Sequence, residues 1–364
     1  MLARGKGHRL RRHDVVANAL ALLVGLAVCT ILLAAAEMAV RAFGRDEPPT
    51  LNRFPRDYYI TDSAGITKPL PDGRYRFTCT ARQDGSPIYD VVYSVDPFSR
   101  RVTPVSDPHS RDKFLLFFGC SFTYGEGLPD DQTFPYYVAR AAASYMPYNY
   151  AFHGHSPAEL LVKMETGTLP REVPEAEGTL IYLLIDAQFH RVVGSMRFVS
   201  TWGKNRPYYT LDTNGRPLHR GDFTSGRPRL TRFYSWLARS RLLSALDVDL
   251  PPRIMDRHIR LMAEIFGEAK RLYQLQFPRG EFVVVLYPGS RDGLRLAPLL
   301  ERMGISVVDY STLFDPWQPA NIIAPLERHP SALACQTLAQ EVVRDLRLQE
   351  ASPVSQSSLR TGPP

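Results

Sequence analysis

The chain reads as an α/β protein with a mostly parallel sheet covered by helices on both faces. Three observations predict this. From Lys113 onward, short apolar runs alternate with amphipathic stretches of helical period. The runs are apolar throughout, as in strands buried on both faces. Their strand-then-helix repetition is the pattern of parallel sheets.

The elements follow in order. "KFLLFF" (113–118) is a first buried strand, and "TFPYYVARAAASYM" (133–146) a helix with Pro135 in its first turn, where proline is tolerated. "YNYAF" (148–152) is a strand, "PAELLVKMET" (157–166) a helix and "GTLIYLLI" (178–185) a third strand. The alternation breaks over about 199–250. There "YYTLDTNGRPLHRGDF" predicts a hairpin turning on Asn214-Gly215, and "RFYSWLARSRLLSAL" one helix. This block reads as an insertion of the kind that shapes a substrate cleft. The core pattern resumes with a helix over Arg253–Phe277, whose apolar positions include Ile254, Leu261, Ile265, Ala269 and Leu272. Then come "EFVVVLYP" as a strand, "LRLAPLLERMG" as a helix, "ISVVDY" as a fifth strand and "SALACQTLAQEVVRDLRL" as the closing helix. Residues 349–364 read as a disordered tail.

Ahead of this domain, residues 1–14 carry five Lys/Arg and one Asp, so most of the formal net charge of +7 sits there. The body is nearly balanced and gives no electrostatic case for nucleic acid. Val15–Ala36 contains no charged residue and, at about 1.5 Å rise per residue, spans a hydrocarbon core of roughly 30 Å. The run and its basic flank predict a single-pass anchor in a lipid bilayer, head in the cytoplasm and the rest outside. A cleaved signal peptide is the competing reading, with "AAA" at 34–36 as its site, but the run exceeds the usual h-region of about 7–15 residues. Residues 37–70 read as a juxtamembrane connector. "GRYRFTCTA" and "YDVVYSVD" predict two strands of a small β element within 71–112, at the head of a domain ending near 348. Cys29 lies in the apolar run, leaving Cys79, Cys120 and Cys335 outside it. With no CxxC and no metal-type spacing, the sequence calls for no metal or other cofactor.

In parallel α/β sheets ligands bind beyond the C-terminal strand ends. That edge receives "FFGCSFTYGEG" (117–127) after the first strand and "ERHPSALA" (327–334) before the last helix. A serine and a histidine some 200 residues apart thereby converge. The hydroxyl is nearly inert until a base takes its proton, which an imidazole does near neutral pH. The turn is not the Gly-x-Ser-x-Gly elbow of α/β-hydrolases.

With "NYAFHGHSPAE" (149–159) between them, these blocks resemble the SGNH/GDSL hydrolase family. The resemblance implies a flavodoxin-like three-layer sandwich over about 113–348, interrupted by the insertion. It implies Ser121 as nucleophile, His329 as base, and the backbone N–H groups of Ser121 and Gly154 as oxyanion donors. Two departures matter. The acid that orients the histidine usually lies three residues before it, where this chain has Leu326. Glu327, two before, takes the role, with Asp315 the weaker substitute. The third block's Gly-x-Asn-Asp is replaced by "LIDAQFH", so its Asn donor is absent. Gln188 or His190 is expected to supply an N–H instead, and Asp186 to cap the helix that follows it or bind a substrate hydroxyl. The resemblance implies an esterase or O-acyl transferase, anchored in a bacterial inner membrane and facing the periplasm. Its substrate would be an ester-bearing small molecule or polysaccharide, O-acetyl esters foremost. The alternative is a catalytically silent glycan-binding protein of envelope assembly.

Overall fold

A computed structural model describes residues 12–43 and 50–349. Most of the basic head and all but the first residue of the predicted tail lie outside the described residues. Helix α1 (Arg12–Phe43) carries a segment, Val15–Phe43, long and apolar enough to cross a membrane, with mean hydropathy 2.7 and none of that window buried. It runs past Ala36, where the apolar stretch ends, to Phe43.

The core is a parallel sheet of β1 (Lys113–Phe118), β2 (Tyr145–Asn149), β3 (Gly178–Leu184), β4 (Glu281–Leu286) and β5 (Ser306–Asp309), in the order β5-β4-β3-β1-β2. This is the flavodoxin-like order, which switches direction beside β1. Between the strands run α2 (Ser121–Tyr124), α3 (Phe134–Ala141), α4 (Pro157–Thr166), α5 (Ala187–Val193), α6 (Met196–Thr201), α7 (Pro228–Leu237), α8 (Arg241–Ala245), α9 (Asp256–Gln276) and α10 (Arg291–Arg302). The helix α11 (Ala332–Asp345) closes the domain.

The unbroken apolar runs serve both faces, because successive strand residues point in opposite directions. Phe114, Leu116, Leu180, Tyr182 and Val284 pack under α4, α9 and α10. Their neighbours Leu115, Phe117, Ile181, Leu183 and Val285 pack under α3 and α11. All ten are at most 1% exposed, and each such burial contributes about 1.5–3 kcal/mol.

Two expectations are corrected. Residues 133–146 are not one helix: α3 stops at Ala141 and β2 starts at Tyr145. Pro147 disfavours the helical region at Met146, so good helix formers yield to a strand. In the insertion, the predicted single helix is two, α7 and α8, because Ser240 caps the second by accepting from Leu243 N at 3.2 Å. Within the described part of the connector, a strand at Thr50–Arg53 pairs on Gly73–Ala81 and a hairpin joins Tyr59–Thr61 with Thr67–Pro69. Gly73–Ala81 pairs in turn with Pro87–Val95, as the small β element requires. The insertion's hairpin turns at Asn214-Gly215, between Pro207–Leu211 and Pro217–Asp222. The four cysteines are free.

Candidate active site

β1 ends at Phe118 and the chain turns sharply through Gly119. Its φ is 144°, and a Cβ there would collide with Thr123 Oγ1 and crowd the Leu183 carbonyl. Only glycine fits, and it delivers Ser121 to the first position of the helical turn α2, at the C-terminal edge of the sheet. Cys120 is fully buried beneath this turn, out of reach of a substrate.

His329 arrives from the other end of the domain. Glu327–Pro330 is a short strand paired antiparallel with Ile322–Ala324, just before α11. Strand residues two apart share a face, so Glu327 and His329 project together. A two-residue spacing therefore suffices to bring the two side chains together. Glu327 Oε1 bonds His329 Nδ1 in a short contact, and His329 Nε2 lies 2.8 Å from Ser121 Oγ. The Phe122 ring meets the imidazole edge-on at 5.5 Å.

Behind β2, Asn149 Oδ1 accepts from Ala151 N at 3.1 Å and sets the turn toward Gly154. Gly154 has φ 72°, and a Cβ there would run into the Trp202 ring. Ser121, Gly154 and His329 line one cleft of about 670 Å³, walled by the small β element and by Trp202 of the insertion.

The residues expected to replace the missing asparagine lie elsewhere. Asp186 accepts from Ser290 Oγ and Arg291 N, both at 2.8 Å, and from Asp292 N at 3.2 Å. It thus caps α10, over 100 residues on, rather than the helix that follows it, and its oxygens are consumed there. Gln188 is fully buried, with its amide donating to the Leu183 carbonyl at 3.3 Å. His190 faces a separate hollow shared with Asp256 and Arg295.

Three further residues occupy the cleft instead. Arg191, in α5 and seven residues past the end of β3, donates from Nη1 to the His155 carbonyl at 2.9 Å, with its guanidinium 6.0 Å from the Trp202 ring centre. Glu126 and His153 form a pair with Oε2 to Nδ1 at 2.7 Å, and the same Oε2 stands 3.2 Å from His329 Nε2. Burial alone raises the Glu126 pKa, but His153 and His329 overcome it and hold the carboxyl at about 2. Burial alone lowers the His329 pKa. Glu126 on one side and Glu327 on the other reverse that and lift it to about 9. Sequence signals for these residues existed: Glu126 sits in "GEG" five residues past Ser121, His153 is next to Gly154, and Arg191 follows the altered third block.

The chain is similar to several solved structures. One is a lipolytic protein of the G-D-S-L family from Veillonella parvula, at 13% identity over 64% of this chain and 97% of that one, TM-score 0.35. Another is an acetyl xylan esterase from Butyrivibrio proteoclasticus, at 12% identity over 72% and 68%, TM-score 0.37. A third is a carbohydrate esterase family 2 enzyme from Myceliophthora fergusii, at 13% identity over 82% and 87%, TM-score 0.38. No family model and no curated protein matches the chain. The assignment of a site therefore rests on the chain's own residues.

Proposed function

We propose that this protein is a serine esterase or O-acyl transferase of SGNH/GDSL type, acting through an acyl-enzyme on Ser121. The observation that carries the reading is the relay in one open cleft: Ser121 Oγ on His329 Nε2 at 2.8 Å, and Glu327 behind Nδ1. His329 takes the hydroxyl proton as Oγ attacks the ester carbonyl, then returns it to the departing alkoxide. Glu327 holds the ring in the required tautomer. The oxyanion is met by the N–H groups of Ser121 and Gly154. Arg191, which lines the cleft together with Ser121 and Gly154, takes the place of the absent asparagine. Water, or an acceptor hydroxyl, then takes the acyl group with His329 again as base.

The substrate class we assign is O-acyl carbohydrate. Trp202 is half-exposed over Gly154 and offers a flat apolar face for a sugar ring beside the reacting carbonyl. The helix α1 would anchor the protein in a bacterial inner membrane, with the basic head in the cytoplasm and the domain in the periplasm. A reporter fused after residue 45 should be active in the periplasm alone, and cytoplasmic activity would overturn this topology.

A second reading, a catalytically silent glycan-binding protein, draws on the missing asparagine and on the carboxylate that keeps His329 protonated. A fluorophosphonate probe at pH 9.5 separates the two. The enzymatic reading expects one adduct, on Ser121, lost in Ser121→Ala. No adduct, together with no release of p-nitrophenol from its acetate ester, favours the silent protein.

A further inference from the structure

The insertion presents an apolar face that stays exposed among the described residues. In α7, Leu230, Phe233 and Trp236 recur every three residues, with Phe233 49% and Trp236 62% exposed and their rings stacked at 6.1 Å. Leu246, just past α8, is 65% exposed. The opposite side of α7 is fixed to the domain by buried Thr231, whose hydroxyl donates to the Phe223 carbonyl. Over 223–246 the chain has five arginines and no acidic residue, and Arg229, Arg232 and Arg239 are exposed.

This face is tied to the end of the anchor. Val15–Ala36 is about 33 Å of helix, so Glu37, the first charged residue after it, falls at the edge of the hydrocarbon. Glu37 accepts from Ser240 Oγ at 2.8 Å, Arg241 N at 2.9 Å and Leu242 N at 3.0 Å, capping α8. Arg41 donates to the Arg239 carbonyl at 3.0 Å. A helix capped by the residue at the membrane boundary is itself at that boundary, and α7 precedes it by three residues.

We infer that α7 and the end of α8 form a second membrane contact, lying in the interface of the bilayer that α1 crosses. Trp236, Phe233, Leu230 and Leu246 enter the headgroup–acyl boundary, and the arginines meet anionic headgroups. Tryptophan and arginine beside apolar side chains are the composition such a contact requires. α6 packs on α7 and leads directly into Trp202, so this contact also sets the height of the cleft above the lipid surface. The inference rests on the reading of α1 as an anchor.

The test uses the full chain in single-copy nanodiscs of phosphatidylethanolamine and phosphatidylglycerol, with plain or acyl-brominated lipid. α1 has no tryptophan, and the chain has three, Trp202, Trp236 and Trp317, so quenching by bromine reports their depth. The inference expects quenching in the wild type that is mostly lost in Trp236→Phe and kept in Trp202→Phe and Trp317→Phe. A Trp236→Tyr variant guards against misfolding of the first, and is expected to keep lipid contact as read by tyrosine quenching. Quenching equal in Trp236→Phe and wild type, or none at all, overturns the inference. So does protection of Trp236 only when two copies share a disc, which would assign the face to a second chain. Release of the full chain from membranes by alkaline carbonate would instead refute the anchor.

Discussion

Glu126 offers the sharpest perturbation of the proposed chemistry. Its carboxylate stands 3.2 Å from His329 Nε2, on the side of the ring that must take the Ser121 proton. Against burial, the charge of Glu126 and the hydrogen bond and charge of Glu327 together lift the imidazole from 6.5 to about 9. Removing the Glu126 charge should therefore lower the imidazole pKa, and a fall of about one pH unit raises the neutral fraction near pH 7 about tenfold. A base must be neutral to act, and the pH dependence of kcat/KM reports the free enzyme. At pH 7 a base of pKa 9 is about 1% neutral, and one of pKa 8 about 9%. Glu126→Gln, which keeps the hydrogen bond from His153, should then raise kcat/KM near pH 7 about tenfold. The rising limb of the profile should move from near 9 to lower pH, as read with p-nitrophenyl acetate from pH 5 to 10. Stability gives a second readout. A histidine pKa raised in the folded state stabilises fully below about 6.5, and that stabilisation is lost as pH rises through about 9. The wild-type melting temperature should fall across this window, and more steeply than that of Glu126→Gln. A limb that stays near 9 in the variant would refute the argument, because the charge at 3.2 Å would then not govern the base.

Other outcomes follow from the same geometry. Arg191→Ala should lower kcat about 10²- to 10³-fold with KM nearly unchanged, as for loss of one oxyanion donor, and guanidinium chloride but not sodium chloride should restore part of it. Glu327→Gln should cost about 10³- to 10⁴-fold in kcat while Ser121 still sits beside the ring, visible as loss of burst rate without loss of fold. Asp186→Ala should leave three α10 groups without their acceptor and destabilise by about 1–2 kcal/mol in urea titration.

How much of this was legible follows from what each residue depends on. Ser121 and Gly154 lie at strand ends, and strand runs are readable from apolar composition, so their meeting at one sheet edge followed from the α/β pattern. Glu327 was legible for a similar reason: two residues apart is one face of a strand, although the strand itself did not stand out. Arg191, Glu126 and His153 were missed because long side chains reach the site from positions whose directions depend on packing. Asp186 illustrates the limit in reverse. It occupies the third block's place in the chain, yet α10 packs over the end of β3 and claims its carboxylate. No local pattern announces a partner more than 100 residues away. The helix over 133–146 failed for a local cause that was visible, Pro147, set against stronger helical composition.

The central claim is that Ser121 carries the acyl group. The direct measurement is rapid quenching of the full chain during turnover of p-nitrophenyl acetate at pH 9.5, followed by peptide mass spectrometry. The account expects a burst of p-nitrophenol close to one per chain, and one acetyl group on the peptide containing Ser121. An acetyl group on His329, on Cys120 or on no residue while turnover proceeds would contradict it.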